Sequence, residues 1–93
     1  MTPRIPLREL LELLHHDRTL FEQLCDEGHL ERDAEHYTDD QAELARVVGT
    51  LIHELDVNWA GAEVILRMRS EIVATRRQVV ELLTLLQERR GGD

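Results

Sequence analysis

The chain is poor in the residues that mark secreted, membrane-spanning and sheet-rich proteins. Its 93 residues include one cysteine, Cys25, which excludes an internal disulfide and a Cys-x-x-Cys metal site. Aromatic residues make up only 3% of the chain, so aliphatic side chains must supply the core, and this favours helices over a sheet. No apolar run approaches the roughly 18–20 residues that span a bilayer, and the N-terminus lacks the apolar core of a signal peptide. We therefore expect a helical, cytoplasmic protein of one domain.

Lysine is absent, and positive charge is scarce in the first half of the chain. Eleven arginines oppose 19 acidic residues, which gives a net charge of −8. Residues 1–45 hold four arginines and twelve acids, whereas residues 46–93 hold seven of each. Nucleic-acid phosphates repel a segment of this charge. The acidic half is therefore either a solvated surface or a docking face for a basic protein partner, and the sequence leaves both open.

Two short helices are predicted before residue 28 from their apolar stripes. No proline follows Pro6, so none interrupts a helix after that position. The first carries a helical stripe of leucines: Leu7, Leu10, Leu11 and Leu14. It is expected to end near His15 and His16. The second, which begins after an N-cap at Asp17 or Thr19, has the apolar positions Leu20, Phe21 and Leu24. Gly28 is a suitable stop for it, and the pair has the outline of a helix-turn-helix.

The polar segment between Gly28 and Thr38 is too short for another useful helix. We expect a small hairpin, or wing, that turns Leu30 and Tyr37 inward. The predicted wing separates the two short helices from a longer one.

A third helix is predicted over about 39–55, because Thr38 and Gln41 have capping-box spacing and a helical apolar stripe follows. Gly49 lies inside this predicted helix at a cost of up to about 1 kcal/mol relative to Ala, which indicates the close approach of another helix. Asn58 is a good N-cap for a fourth helix. The only tryptophan, Trp59, is either an anchor of that helix on the core or a binding hot spot.

The last helix has the heptad spacing of a coiled coil. Alternating steps of three and four residues connect Ile65, Met68, Ile72, Thr75, Val79, Leu82 and Leu86. Further apolar positions widen this stripe beyond a two-stranded seam: Val73, Val80, Leu83 and Leu85. The helix either packs back on the first three or contacts a second chain, and we expect the heptad positions to form a homodimer interface.

No motif for catalysis or cofactor binding is present. The chain has no Gly-x-Ser-x-Gly, no glycine-rich phosphate loop, no His-Glu-x-x-His and no EF-hand pattern. Zinc ligands are available in Cys25 and in five histidines, His15, His16, His29, His36 and His53, but their spacing matches no closed metal site. We therefore expect a protein that is not an enzyme and carries neither a metal nor a cofactor.

The predicted order of elements resembles the MerR-like winged-helix family. The run from Thr19-Leu20 to Gly28-His29-Leu30 is similar to the second-helix motif of that family, and Tyr37-Thr38-Asp39-Asp40 is similar to its post-wing tyrosine and helix cap. The DNA-contacting residues of the family are largely missing, because Phe21-Glu22-Gln23 stands in place of an arginine and two tyrosines. The resemblance implies a mostly α fold, a winged helix-turn-helix with a short wing and a long C-terminal dimerisation helix.

The stretch from Leu51 to Met68 is similar to the signature of the chaperone-modulator family CbpM, a divergent MerR-like branch. The matching positions are His53-Glu54-Leu55, Asp56-Val57-Asn58-Trp59, Gly61 and Val64-Ile65-Leu66. Ile52 departs from the family, which often has arginine there. Members of CbpM bind the J-domain of the DnaJ-like co-chaperone CbpA and hold back its work with the Hsp70 chaperone DnaK. The resemblance implies the same partner and activity for this chain.

These observations predict a helix-turn-helix, wing and third helix over 1–58, a dimerisation helix over 59–90 and a disordered tail over 91–93. The expected function is a non-catalytic modulator of a J-domain co-chaperone. Charge density alone nominates the electrostatic part of its site: Asp26, Glu27, Glu31, Asp33 and Glu35. The alternative is a MerR-like transcriptional regulator that binds DNA, which the low arginine content of the second helix and wing disfavours.

Overall fold

The computed structural model of this chain describes residues 4–91, which are mostly helical, as predicted. The elements, in order, are β1 (Arg4–Pro6), α1 (Leu7–Leu13), α2 (Arg18–Asp26), β2 (His36–Thr38), α3 (Asp39–Gly49), a π-helical segment (Thr50–Glu54) and α4 (Trp59–Gly91). They divide into two compact units, Met1–Ala62 and Glu63–Asp93.

Helix α1 ends earlier than the sequence predicts, so the turn between α1 and α2 is longer. Helix α1 ends at Leu13, because His15 and His16 both have left-handed backbone conformations, with φ of 57° and 59°. Asp17 then caps α2, and its carboxylate accepts the backbone N–H of Leu20 at 3.0 Å. Of the two candidate caps, the structure therefore uses Asp17.

Gly28 ends α2, as predicted, through a left-handed cap. Its φ is 81°, a conformation that glycine adopts without steric cost. The N–H of Gly28 donates to the carbonyl of Cys25 at 3.0 Å, and that of His29 donates to Leu24 at 2.9 Å. This pair of bonds is a Schellman motif, which satisfies the last carbonyls of the helix and turns the chain sharply.

The predicted hairpin within 28–38 is wrong, because β2 pairs with β1 at the start of the described chain. The two strands are antiparallel, and Ile5 lies opposite Tyr37. No second strand closes the loop before β2 in the described residues; instead, the Tyr37 hydroxyl donates to the carbonyl oxygen of Glu31 at 2.8 Å. The inward positions were predicted correctly, since Leu30 and Tyr37 are both buried.

The core of the first unit is almost entirely aliphatic. Tyr37 and Phe21 supply its aromatic contact, edge to face, with ring centroids 6.5 Å apart. Its other buried side chains are Leu10, Leu11, Leu14, Leu20, Leu24, Leu30, Ala45, Val48 and Ala62. Each large member stabilises the fold by about 1.5–3 kcal/mol through burial.

Helix α3 begins at the predicted capping box. The N–H of Gln41 donates to the Thr38 hydroxyl at 3.2 Å, and the side chain of Gln41 accepts the N–H of Thr38 at 2.9 Å. The predicted close approach at Gly49 is also confirmed, because a Cβ there would collide with the carbonyl oxygen of Leu13 at the end of α1. The α-helix stops at Gly49, where the sequence predicted it to continue to Leu55, and the π-helical segment follows.

Helix α4 begins at Trp59 after the predicted cap, with the Asn58 side chain accepting the N–H of Gly61 at 2.8 Å. Its 33 residues span about 50 Å at 1.5 Å per residue. Every side chain from residue 70 to residue 90 is exposed. Of the tail predicted to be disordered, Gly91 is still helical, and residues 92–93 lie outside the described residues.

The close contact at Gly49 predicts that Gly49→Ala destabilises the first unit. Alanine is the better helix former by about 1 kcal/mol, but the clash is with backbone atoms of Leu13, which cannot rotate away. We expect a net loss of about 2 kcal/mol in the free energy of unfolding, measured by urea denaturation. Gly28→Ala is the control, because a Cβ there meets nothing within 4 Å and only the positive φ opposes it. A Gly49→Ala protein as stable as the wild type would contradict this account.

Candidate protein-binding surfaces

The end of α2 and the loop that follows it carry a dense negative charge, which we call the acidic surface. Six acids lie between residues 22 and 35, all of them exposed: Glu22, Asp26, Glu27, Glu31, Asp33 and Glu35. Five of these are the predicted partner-binding residues. Asp26 is the last residue of α2, Glu27 is its C-cap, and the other three lie in the loop before β2.

Arg32 neutralises part of the acidic surface from within, a feature that the sequence did not reveal. Its Nε donates to Glu22 at 2.8 Å and its Nη2 donates to Asp26 at 2.7 Å. The hydrogen bond to Asp26, followed by the one to Glu22, is the main reason that the pKa of Arg32 is raised above its ordinary value. Asp26 therefore already has a cationic partner. Among the described residues, no ion pair involves the remaining four acids, which are Glu27, Glu31, Asp33 and Glu35.

The loop that carries these acids is held in place by a buried side chain and a hydrogen bond. Leu30 is buried, and the Tyr37 hydroxyl bonds to the backbone of Glu31. Cys25 is half-buried, and burial raises the pKa of its thiol; the Arg32 guanidinium opposes this rise, and the carboxylates of Glu22 and Asp26 add to it. The thiol therefore stays protonated at neutral pH and is a poor nucleophile or metal ligand.

Two histidines that are far apart in sequence connect the α1–α2 turn to the π-helical segment. The rings of His15 and His53 stack with centroids 5.0 Å apart and an interplanar angle of 17°. Nε2 of His53 lies 2.8 Å from Oδ2 of Asp17, and Nε2 of His15 lies 3.9 Å from Oε2 of Glu54. The 36 residues that separate Asp17 from His53 gave no sequence signal for this contact. Within residues 4–91, no group of three or more His, Cys, Asp or Glu side chains is placed to hold a metal ion.

The segment that resembles the CbpM signature has structural roles in this chain. His53 bonds to the α2 cap, Asp56 adopts a left-handed conformation with φ of 54°, and Asn58 caps α4. Gly61 leaves room for Val57, since a Cβ at residue 61 would lie 2.9 Å from Cγ1 of Val57. These residues therefore shape the passage from α3 to α4, and the charged surface available to a partner lies elsewhere in the first unit.

The second candidate surface is the apolar face of α4. All of its predicted heptad positions are exposed: Ile65, Met68, Ile72, Thr75, Val79, Leu82 and Leu86. Together with the flanking Val64, Val73, Val80, Leu83 and Leu85, the large apolar side chains of this face are 36–61% exposed. Contiguous exposed apolar patches larger than a few hundred Å² are typical of interaction sites, which makes this face a candidate.

Comparison with protein-family models, with curated proteins and with solved structures finds no match for this chain. A separate search finds no helix among the described residues that is long and apolar enough to cross a membrane.

The contacts of Asp17 predict an acid-sensitive contribution to stability. Its pKa is lowered, chiefly because the N–H of Leu20 donates to the carboxylate, while burial opposes this and the bond to His53 adds to it. We expect Asp17→Ala to lose about 1 kcal/mol at pH 7, measured by urea denaturation.

Asp17→Asn separates the charge of this side chain from its role as a cap. Asparagine keeps an acceptor for the Leu20 N–H, but it has no negative charge for His53. Because the folded-state pKa of Asp17 is lowered from 3.8, its charge stabilises the protein above pH 4, and the effect is lost as the pH falls through the lowered value. The stability difference between wild type and Asp17→Asn should therefore shrink between pH 5 and pH 2; a constant difference would show that the carboxylate charge contributes nothing.

Proposed function

We propose that this protein is a non-catalytic modulator that binds the J-domain of a DnaJ-like, CbpA-type co-chaperone and inhibits its work with Hsp70. The observation that carries the proposal is the acidic surface, where six exposed acids oppose the single Arg32 between residues 22 and 35. J-domains engage Hsp70 through a basic second helix. A surface of opposite charge attracts that helix, steers its approach and covers it against the chaperone.

Loop geometry supports the acidic surface as the place of contact. Glu27, Glu31, Asp33 and Glu35 are presented on a segment whose ends are held by the Schellman motif and by β2. Because this segment is already ordered, a partner does not bear the full entropy cost of fixing it. Inhibition follows by occlusion, without a chemical step in this chain.

The resemblance of residues 51–68 to CbpM adds independent support for the partner. In this chain the matching residues shape the passage between α3 and α4, so the resemblance supports the kind of partner, and the charged surface supplies the proposed contact. The departure at Ile52 lies in the π-helical segment, away from the acidic loop in sequence. The proposed winged helix-turn-helix architecture rests on the resemblance of the element order to the MerR-like family, with β2 in the place of a wing strand.

DNA binding is the alternative function, and the negative charge of α2 disfavours it. This helix would be the recognition helix of a MerR-like regulator, but it carries Arg18 alone against Glu22 and Asp26, and its N-cap is Asp17. A recognition helix presents its N-terminal residues to the base edges and needs cationic contacts to phosphates. A promoter-length duplex is accordingly the control ligand in the test of the proposal.

We expect calorimetric titration of the full chain with an isolated CbpA-type J-domain to give a Kd of about 1 µM or tighter, rising at least tenfold between 50 and 300 mM NaCl. The fivefold variant with Asp26→Asn, Glu27→Gln, Glu31→Gln, Asp33→Asn and Glu35→Gln should bind at least 30-fold more weakly. The DNA duplex should give no heat with either protein. Salt-sensitive DNA binding without J-domain binding would instead favour the transcriptional regulator.

A matched fivefold variant separates local complementarity from net charge. Glu9→Gln, Glu12→Gln, Asp40→Asn, Asp56→Asn and Glu88→Gln change the net charge of the chain by the same amount, but none of them lies on the acidic surface. Binding by this variant should stay within about threefold of the wild type. Equal weakening in both variants would mean that the partner responds only to overall charge and that the acidic surface is not the site.

Arg32→Gln should strengthen J-domain binding several-fold, because the carboxylates of Glu22 and Asp26 then become available to the basic helix. Arg46→Gln is the matched control. It removes the same charge from a guanidinium that pairs with Glu43 on α3. Weaker binding by Arg32→Gln than by Arg46→Gln would show that Arg32 orders the loop more than it competes with the partner.

A further inference from the structure

We infer that residues 76–90 of α4, which we call the bracketed segment, bind along the surface of an anionic lipid bilayer without crossing it. This segment places a run of aliphatic side chains between two pairs of arginines, Arg76-Arg77 and Arg89-Arg90. An anionic bilayer offers acyl chains to the aliphatic side chains and phosphates to the arginines. The inference goes beyond the proposed function and is independent of it, because the acidic surface takes no part.

The first argument is the exposure of the aliphatic side chains in the bracketed segment. Every side chain from residue 76 to residue 90 is exposed. Six of them are large and aliphatic, with 49–61% of their surface exposed: Val79, Val80, Leu82, Leu83, Leu85 and Leu86. Removing this surface from water is favourable and needs only an apolar surface or phase in contact with it.

The second argument is the width of this aliphatic arc. At about 100° per residue, the six positions cover about 220° of the helix circumference. A two-stranded coiled coil covers a narrower stripe, because only its a and d positions face the partner helix. A helix that lies in the interface of a bilayer buries one whole side among the acyl chains. The width of the arc therefore fits a deformable apolar phase better than a single partner helix.

The third argument is the position of the charges around the arc. Arg76 and Arg89 lie about 70° to either side of its centre, where their aliphatic stems can stay on apolar atoms while the guanidinium groups reach lipid phosphates. Glu81 and Glu88 lie about 150–170° from the centre, on the opposite face, together with Arg77. Cations thus flank the arc and both acids point away from it, which is complementary to an anionic surface.

The net charge of the chain, −8, opposes this contact, so the attraction has to come from the bracketed segment itself. Residues 76–90 hold four arginines and two glutamates, whereas residues 1–62 hold five arginines and 14 acids. At physiological ionic strength, salt screens exposed charges beyond about 8 Å. Charges in direct contact with the headgroups therefore count for more than the net charge.

The test is flotation of the full chain with vesicles of phosphatidylcholine alone or with 30% phosphatidylserine. We expect the anionic vesicles to bind at least tenfold more tightly than the neutral ones. Leu82→Glu should weaken binding to the anionic vesicles at least 30-fold, because it places a charge in the arc. Thr84→Glu adds the same charge on the opposite face and should change binding less than threefold. Near-ultraviolet circular dichroism, which reports the packing of Tyr37, checks the fold of each variant.

The adjacent residues Arg76 and Arg77 form a matched pair, because they carry the same charge on different sides of the helix. Arg76→Gln should weaken binding about fivefold, the effect of removing one cation close to an anionic membrane. Arg77→Gln should weaken it less than twofold, because the helix is about 10 Å thick and the opposite face lies about one Debye length farther from the phosphates. Equal effects of the two substitutions would overturn the inference.

A tryptophan at residue 86, at the centre of the arc, identifies the occupant directly. With the emission of Trp59 subtracted, Leu86→Trp should shift to shorter wavelength on anionic vesicles and be quenched by lipids brominated in their acyl chains. Glu88→Trp, on the opposite face, should show neither effect. The homodimer predicted from the heptad spacing would instead give a shift that grows with protein concentration and needs no lipid. That result, or a wild type that does not bind anionic vesicles, would overturn the inference.

Discussion

The contact between Gly49 and the end of α1 is the constraint on which the first unit depends. Because residue 49 has no side chain, α3 approaches the carbonyl of Leu13 closely. That distance lets Val48 and Leu14 be fully buried in the same core, and it brings the π-helical segment beside the α1–α2 turn. The stack of His15 on His53 and the bond from His53 to Asp17 then hold the turn in place. A larger residue at position 49 would separate the two helices and weaken each of these contacts.

Local signals in the sequence predicted most of the helices, and contacts across the chain account for what it missed. Capping at Thr38 and Asn58, the stop at Gly28 and the inward positions of Leu30 and Tyr37 each depend on residues within a few positions of one another. The pairing of β1 with β2 spans about thirty residues, and three-residue strands carry too little periodicity to reveal it. The π-helical segment follows an unbroken helical stripe, so nothing in the pattern marked the change in hydrogen bonding at Thr50.

The sequence predicted the two candidate surfaces to different extents. Charge density identified the five predicted acids of the acidic surface. It did not reveal that the Arg32 guanidinium donates to Glu22 and Asp26, which are ten and six residues away in sequence. These bonds show that the acids are not equivalent. For α4, the sequence pattern predicted each heptad position, and all of these positions are exposed. The chain thus separates its charge along its length, with a negatively charged unit first and then a helix that carries six arginines and four glutamates beside its apolar face. Under the proposed function, the acidic surface meets the basic partner and the apolar face remains available for a different contact.

The burial of Ala62 limits where the chain can be divided. Ala62 and Leu66 are buried although they lie within the first turns of α4, whereas every side chain from residue 70 to residue 90 is exposed. A fragment that ends before Ala62 therefore loses part of the core, while one that ends at Arg69 keeps every buried side chain of the described residues. Insertions or deletions of whole heptads beyond residue 69 accordingly change the reach of the helix and leave the buried residues untouched.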